Sequence, residues 1–339
     1  MTSGLDDSVP FALTLSRRFR GTTTREGVLI RVGDGWGEWA PFPEYDDLTA
    51  ARWLRAALEL ARGDWPAASR SSVPVNAIVP ALGVTEVGEL VLDAVQRDGC
   101  TTIKVKVAEP GQDFAADVAR VAAVRAVLDD CGVAEGSIRI DANGAWTLDE
   151  AADRLGVLAD VGLGLEYAEQ PCATLDELAE LRTLTDVPIA VDEGLRLAGD
   201  LEDVALASIR DAADIVILKA IPLGGVRRAL DLAQRIGRPV TVSGSLDSSV
   251  GLAAGLALAG ALPDLPYACG LGTGRLLADD LTARTLLPED GRLSVVRPTP
   301  DLDLLAAASA RLGPDRGRWW HDRLERCLAL IDAAEGGAA

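Results

Sequence analysis

The middle of the chain alternates short apolar segments typical of β-strands with longer segments typical of helices. Such alternation with short connections predicts parallel strands joined by crossover helices. Eight strand segments fall within about 200 residues, which favours a (β/α)8 barrel, a TIM-like α/β fold, over an open sheet. The eight segments span residues 74–80, 101–107, 137–143, 165–170, 188–193, 214–220, 239–245 and 266–272.

A doubly wound open sheet is the alternative architecture for this alternation. It would normally carry a glycine-rich dinucleotide turn after an early strand, and the sequence has none. Two of the helical segments begin with the capping-box pattern, Thr147 with Glu150 and Thr174 with Glu177. The barrel is therefore the predicted core of the protein.

Both ends of the chain differ from this middle region. Residues 1–72 contain strand-like stretches with glycine-rich turns and then a helical stretch, which predicts a separate α+β capping domain. The barrel is predicted over residues 73–299. Residues 300–339 are helical, and we expect them to pack back on the cap or the barrel and complete the capping domain.

Composition limits the function. The formal net charge is −19, which argues against nucleic acid or an anionic membrane as partner, because both attract basic surfaces. No apolar run reaches membrane-span length, no signal peptide is recognisable, and five scattered cysteines form no C-x-x-C pair. We expect a cytoplasmic protein that binds a small-molecule carboxylate; its oligomeric state stays open.

Charged residues end five successive strand segments, in the order Lys106, Asp141, Glu169, Asp192 and Lys219. Buried charges need partners or a metal. Lysine does not cap helix N-termini, so these five residues cannot all be turn formers. Because barrels carry their catalytic groups at the C-terminal strand ends, we expect the five to form one site. The single histidine, His321, excludes a His-rich metal site.

The three carboxylates among these five residues supply only oxygen ligands. Hard oxygen ligands favour Mg²⁺ or Mn²⁺ over zinc. Such a metal could hold a substrate carboxylate and stabilise the dianion that forms when the α-proton leaves. A lysine base must be neutral, and the metal and a neighbouring lysine lower its pKa whereas carboxylates raise it. The residues alone predict metal-assisted proton abstraction next to a carboxylate.

The segments DAN, AEQP, VDEG and LKA, in this order after a K-x-K strand, resemble the enolase superfamily. The K-x-K pair with a later strand-end lysine is similar to its muconate-lactonizing subgroup. The resemblance covers nearly the whole chain, including a capping domain before the barrel. It implies Mg²⁺ held by Asp141, Glu169 and Asp192, with Mn²⁺ as a substitute, and Lys106 and Lys219 on opposite faces of the substrate.

The resemblance also implies roles for residues around this centre. Lys104 and Arg139 would add positive potential near the carboxylates, and Asn143 and Glu193 would orient ligands or lysines. The substrate region of the family, where small residues admit a ligand close to the backbone, falls on Ser243, Gly244, Ser245 and Gly270. Ordinary turns before helices are the alternative for these four positions.

Family capping domains close a loop over the site, which corresponds here to the stretch SRRFRGTTTREG. Arg20, with Arg18 and Arg25, is expected to meet an anionic substrate as part of this lid; a solvated hairpin turn is the alternative. Trp36, Trp39 and Phe42 belong to the core of the cap or to its lid, and we expect the core.

Segments such as GWGEWAPFPEYDD and VSGSLDSSVGLAAGLALA are most similar to a dehydrating member of the subgroup. This implies syn-elimination of water from a hydroxycyclohexadiene carboxylate, with Lys106 removing the α-proton and Lys219 staying charged. The alternatives on the same site are N-acylamino acid racemisation, dipeptide epimerisation and muconate lactonisation. Dipeptide epimerases usually carry a D-x-D pair after strand eight, where this chain reads CGLGTG. The alternative outside the enzymes is a non-catalytic barrel in which these charges form a structural cluster of ion pairs.

Overall fold

A computed structural model describes residues 5–19, 21–197 and 203–336. The chain begins with an antiparallel sheet of β1 (Asp7–Phe19), β2 (Thr22–Val32) and β3 (Gly35–Trp39), followed by helix α1 (Asp47–Arg62). Asp46 caps α1 by accepting the backbone N–H of Thr49 at 2.7 Å, and Gly63 ends it in the left-handed conformation. These elements form the predicted α+β cap.

Seven parallel strands follow in sequence order and curl into a barrel wall. Before them, β4 (Ser72–Pro74) pairs with a late strand. The wall consists of β5 (Ala77–Val79), β6 (Thr102–Lys106), β7 (Ser137–Asp141), β8 (Tyr167–Glu169), β9 (Ile189–Val191), β10 (Ile215–Leu218) and β11 (Val240–Val242). The late strand, β12 (Arg292–Ser294), is antiparallel to β4. Strands of three to five residues suffice because the helices cover the outer face of the wall.

Helices alternate with these strands, as right-handed crossover connections require. They are α2 (Val84–Gln96), α3 (Phe114–Asp130), α4 (Leu148–Gly162), α5 (Leu175–Leu181), α6 (Glu193–Arg196), α7 (Asp203–Ala212), α8 (Ala220–Leu223), α9 (Val226–Ile236) and α10 (Ser249–Ala261), with a 3₁₀ turn at Gly274–Leu276. Both expected capping boxes are present, at the starts of α4 and α5. The short helices α6 and α8 were not distinguished in the sequence.

The eighth predicted strand, residues 266–272, is reduced to two bridging positions. Cys269 pairs with Val75 and Gly270 with Ser243, both in parallel. The backbone N–H of Cys269 donates to Pro74 O at 2.7 Å, and that of Gly270 donates to Val242 O at 2.8 Å, which closes the barrel. The segment cannot extend its ladder far, because Pro266 lacks an N–H and glycines weaken strands. The barrel with its N-terminal cap is confirmed, with this shorter closure.

The C-terminal helices α11 (Leu302–Leu312) and α12 (Pro314–Gly336) pack on the cap. Helix α11 lies against β1, and α12 lies against α1. Trp320 of α12 is fully buried with its ring centroid 5.5 Å from that of Trp39, and Arg316 donates to Glu26 at 2.6 Å. The exact domain boundaries, 72/73 and 299/300, stay a prediction. In the described ranges, no helix has the length and apolar character needed to cross a membrane.

Candidate active site

The five charged strand ends meet at the carboxyl end of the barrel. Lys106 of β6 is the register partner of Asp141 on β7, which is in turn the partner of Glu169 on β8. Asp192 directly follows β9, and Lys219 directly follows β10. Five adjacent strands therefore present a row of three carboxylates with a lysine at each end.

The lysines of β6 pair with the first two carboxylates. Lys104 Nζ lies 2.9 Å from Asp141 Oδ2 and 2.6 Å from Glu169 Oε2. Lys106 Nζ donates to Asp141 Oδ2 at 2.5 Å and to Asn143 Oδ1 at 2.7 Å. Lys104, Asp141 and Glu169 are each at most 5 % exposed. Two ammonium groups thus neutralise two buried carboxylates, as burial of charge requires.

The third carboxylate has a separate set of partners. Lys219 Nζ donates to Asp192 Oδ2 at 2.5 Å, and Arg196 Nε lies 3.3 Å from both carboxylate oxygens of Asp192. Arg196 also donates to Glu193 Oε1 at 2.6 Å, an oxygen that accepts from Asn143 Nδ2 at 3.1 Å. Asn143 and Glu193, both predicted to orient the charged groups, therefore connect the two halves of the row.

Gln170 is a site residue that the sequence reasoning did not single out. Its side-chain oxygen accepts the backbone N–H groups of Asp192 at 3.0 Å and Gly194 at 3.1 Å. Its own φ of 41° lies in the left-handed region, which is costly for a residue with a side chain. Gln170 thus fixes the backbone that carries Asp192. The AEQP segment was the available signal, but it was interpreted through its glutamate alone.

The structure places Arg139 away from the carboxylate row. Its guanidinium pairs with Glu166 and donates to Asn76 Oδ1 at 3.0 Å and to Ala268 O at 2.6 Å. It also lies 4.6 Å from the ring centroid of Tyr167. The alternation of side chains along β7 predicted correctly which face of the strand Arg139 occupies, but not how far along the barrel axis it lies from the carboxylates. Arg139 stabilises the barrel interior and the closing segment rather than the potential at the strand ends.

Burial and charge shift the pKa values within the row in different directions. Burial, reinforced by the charge of Asp141, raises the pKa of Glu169 to about 7. Burial would also raise the pKa of Asp192, but Lys219 and Arg196 outweigh it and hold that pKa at about 2. Burial and the charge of Lys104 lower the pKa of Lys106 against the opposing effect of Asp141. A lowered pKa is what a lysine base needs.

The carboxylate row fits a hard divalent cation in its chemistry. Asp141, Glu169 and Asp192 offer only oxygen donors, and the buried Glu169 Oε1 has no hydrogen-bond donor within the described part of the chain. As the side chains stand, no three His, Cys, Asp or Glu residues of the described ranges are already arranged around one point. Lys104 Nζ lies between two of the carboxylates instead, which shows that the row accommodates positive charge.

A cavity opens over the row, and its walls come from both domains. Ser243, Gly244 and Ser245, for which a role in substrate binding is predicted, line it. Gly270 lies behind Ser243, where a Cβ would come within 2.6 Å of Ser243 Oγ, so its lack of a side chain serves packing against the loop. Thr273 was not selected from the sequence, yet it also lines the cavity.

The cap contributes an aromatic wall to this cavity. Phe42, Tyr45 and Trp53 contact one another edge to face, with centroid separations of 5.6–6.0 Å, and all three line it. Tyr45 Oη accepts a hydrogen bond from Arg196 at 3.1 Å, which joins the cap to the partner of Asp192. Trp39 and Phe42 are core as expected, Phe42 also lines the cavity, and Trp36 is partly exposed.

The expected lid arginines have different surroundings. Arg20 lies outside the described residues, and Arg18 is exposed. Arg25 is 2 % exposed and is directed toward the loop after β11. The single histidine, His321, is exposed on α12 and takes no part in the site. The chain contains only three lysines, Lys104, Lys106 and Lys219, and all of them belong to the cluster, whereas arginine supplies the other 30 basic residues.

The barrel with a separate cap, the row of strand-end carboxylates and the lysine on each side are the features expected of an enzyme of the enolase superfamily. Family models match both parts of the chain. Residues 10–61 match the enolase N-terminal domain-like model, and residues 86–317 match the enolase C-terminal domain-like model. Muconate lactonizing enzyme from Pseudomonas fluorescens complexed with muconolactone has the same fold, with a TM-score of 0.76, 18 % identity and coverage of 91 % of this chain and 100 % of that chain.

Relatives at higher identity are more specific. The o-succinylbenzoate synthase of Thermobifida fusca is 50 % identical over 323 residues, 93 % of this chain and 97 % of that protein. The o-succinylbenzoate synthase of Mycobacterium ulcerans is 47 % identical over 333 residues, 98 % of this chain and 96 % of that protein. The chain belongs to the enolase superfamily and, within it, to the o-succinylbenzoate synthase family.

Proposed function

We propose that this enzyme is a hydro-lyase of menaquinone biosynthesis that converts 2-succinyl-6-hydroxy-2,4-cyclohexadiene-1-carboxylate to 2-succinylbenzoate by syn-elimination of water. Family membership supports the reaction. The observation that carries it in the structure is the row of Lys106, Asp141, Glu169, Asp192 and Lys219 on five adjacent strands. A lysine at each end of an anionic row can approach the two faces of a bound carboxylate.

Asp141, Glu169 and Asp192 are the residues that would hold Mg²⁺, or Mn²⁺ in its place. When bound, the metal supplies Lewis-acid stabilisation for the negative charge that develops on the substrate carboxylate. The chain itself contributes the fixed donor set: Gln170 orients the backbone of Asp192, and Asn143 and Glu193 connect Lys106 to Arg196.

Lys106 is assigned as the base that removes the proton α to the carboxylate. Burial and the charge of Lys104 lower its pKa, which favours the neutral form that a base requires. After proton transfer its ammonium group can give the proton to the departing hydroxide on the same face, so that water leaves and the ring becomes aromatic. Lys219, paired with Asp192 at 2.5 Å, stays charged and stabilises the enediolate.

The test is an absorbance assay with the hydroxycyclohexadiene carboxylate, run beside optical-rotation assays on N-succinyl amino acids. The proposal expects rapid dehydration that chelation abolishes and Mg²⁺ restores. Activity unchanged after exhaustive chelation would overturn the metal assignment. Racemisation without dehydration would overturn the lyase assignment and favour N-acylamino acid racemisation, in which Lys219 acts as a second base. The cytoplasmic location and the absence of nucleic-acid and membrane partners stay predictions.

A further inference from the structure

The loop between β11 and α10, residues 243–248, forms one wall of the cavity but is held from the cap. Arg25 of β2 donates from Nε to Leu246 O at 3.0 Å and from Nη2 to Ser245 O at 3.3 Å. The same Nη2 donates to Ala40 O, on the segment after β3. One buried guanidinium therefore ties the backbone of the loop to the backbone of the cap.

The loop has a conformation that needs such support. Leu246 has a φ of 64°, a left-handed conformation that is unfavourable for a non-glycine residue. Its carbonyl is the acceptor of the Arg25 hydrogen bond, and its side chain lines the cavity. Asp247 Oδ2 accepts the N–H of Ser245 at 2.8 Å, which tightens the same turn. Without Arg25, the strained turn at Leu246, which lines the cavity, would lose its hydrogen bonds to the guanidinium of the cap.

Arg25 also contacts the second wall of the cavity. Its guanidinium carbon lies 4.6 Å from the ring centroid of Phe42, which lines the cavity from the cap. At the far end of the loop, Glu38 of β3 accepts the N–H of Ser248 at 3.2 Å and also its hydroxyl. The cap thus holds the loop at its middle through Arg25 and at its last residue through Glu38, and Arg25 contacts both the loop and the aromatic wall.

We propose that Arg25 is a positioning residue for substrate binding. It sets the distance between the 243–248 loop and the aromatic wall at Phe42 and does not touch the reacting atoms. The expected effect on KM rests on the proposed function, because it is measured with the substrate of that reaction. A consequence of this role is that docking of the cap and ordering of the loop are coupled, with Arg25 holding the 245–246 turn and Glu38 holding Ser248. Substrate affinity then depends on Arg25 while the chemical step at Lys106 depends on it much less.

The experiment compares Arg25→Met and Arg25→Lys with Arg31→Met, an exposed arginine of the same strand that contacts Trp36. For Arg25→Met we expect KM for the cyclohexadiene carboxylate to rise about tenfold or more with kcat changed less than about threefold. Arg25→Lys keeps the charge but has one donor atom, so its KM should be intermediate. Arg31→Met should match the wild type.

A second readout is independent of the substrate. Hydrogen exchange followed by mass spectrometry should show faster exchange at 243–248 in Arg25→Met and wild-type exchange there in Arg31→Met. A lower kcat with unchanged KM in Arg25→Met would overturn the proposal, because the change would then affect the chemical step or the amount of folded enzyme and not substrate binding. Unchanged exchange in the loop would also overturn it.

If Arg25→Met does not fold, Arg25→Lys is judged by the same two criteria. A wild type inactive in dehydration overturns the proposed function, and loop exchange then decides the inference.

Discussion

Lys106 and Asp141 are register partners on adjacent parallel strands, and Lys106 Nζ lies 2.5 Å from Asp141 Oδ2. The two side chains therefore form an ion pair at the carboxyl end of the barrel. A cation bound by Asp141 would compete for that oxygen and weaken the pair. Loss of the opposing charge favours the neutral amine, so a cation at Asp141 would favour the form that the proposed base needs.

The first prediction concerns Lys106→Met. We expect the dehydration rate to fall by about 10²–10⁴-fold, the usual contribution of a general base. The fold should survive, because Lys104 still pairs with Asp141 at 2.9 Å. The absorbance assay and circular dichroism check the two parts. Arg97→Met, which removes an exposed pair with Asp93, is the control and should leave turnover unchanged. Normal turnover in Lys106→Met would remove the catalytic assignment.

The second prediction separates Lys104 from Lys106. Lys104 is the ion-pair partner of Glu169, so Lys104→Met should leave a buried carboxylate unpaired. Removing one partner of a buried pair costs roughly 3–5 kcal/mol. Urea unfolding in the presence of a chelator measures this loss, and Mg²⁺ should restore part of it. Equal stability of Lys104→Met and wild type without metal would contradict the assigned pairing.

The third prediction tests the contact between Tyr45 of the cap and Arg196. Tyr45→Phe removes the acceptor of the 3.1 Å hydrogen bond and leaves the aromatic wall in place. A hydrogen bond to a charged group contributes about 1.5–3 kcal/mol, so kcat/KM should fall by at least about tenfold. Tyr267→Phe alters a tyrosine that packs on Tyr167 and should behave as wild type. A similar loss in both variants would exclude a specific role for the hydroxyl.

Much of the site could be predicted from sequence because its signal is local. Each of Lys106, Asp141, Glu169, Asp192 and Lys219 ends its own apolar segment, and parallel strands place their carboxyl ends together. The fold followed from the same alternation. The eighth strand was overestimated because its glycines serve close packing, with a Cβ on Gly272 falling 2.5 Å from Asn76 O.

The remaining residues depend on contacts between distant segments. Tyr45 and Trp53 reach the cavity only because the cap is seated on the barrel, and no periodicity in residues 45–53 indicates this. Arg139 lies on the expected face but at another depth, which alternation cannot specify. Glu38, within the GWGEW segment, is a buried carboxylate whose partner is 210 positions away.

The fourth prediction concerns that buried carboxylate. Burial, reinforced by the charge of Asp247, raises the pKa of Glu38 to about 7, although Ser248 and Arg25 act in the opposite direction. An acid whose pKa is raised on folding binds its proton more tightly in the native state. The stability that this provides is present below the unfolded pKa of 4.5 and is lost as the pH rises toward 7.

Glu38→Gln cannot ionise and should therefore lack this component of the pH dependence. Wild type should lose on the order of 2–3 kcal/mol relative to the variant between about pH 5 and pH 8. Urea unfolding of both proteins across this range measures the difference. Glu89→Gln alters an exposed glutamate and should follow the wild-type curve. Parallel curves for wild type and Glu38→Gln would show that Glu38 is ionised throughout, with Arg25 and Ser248 outweighing its burial.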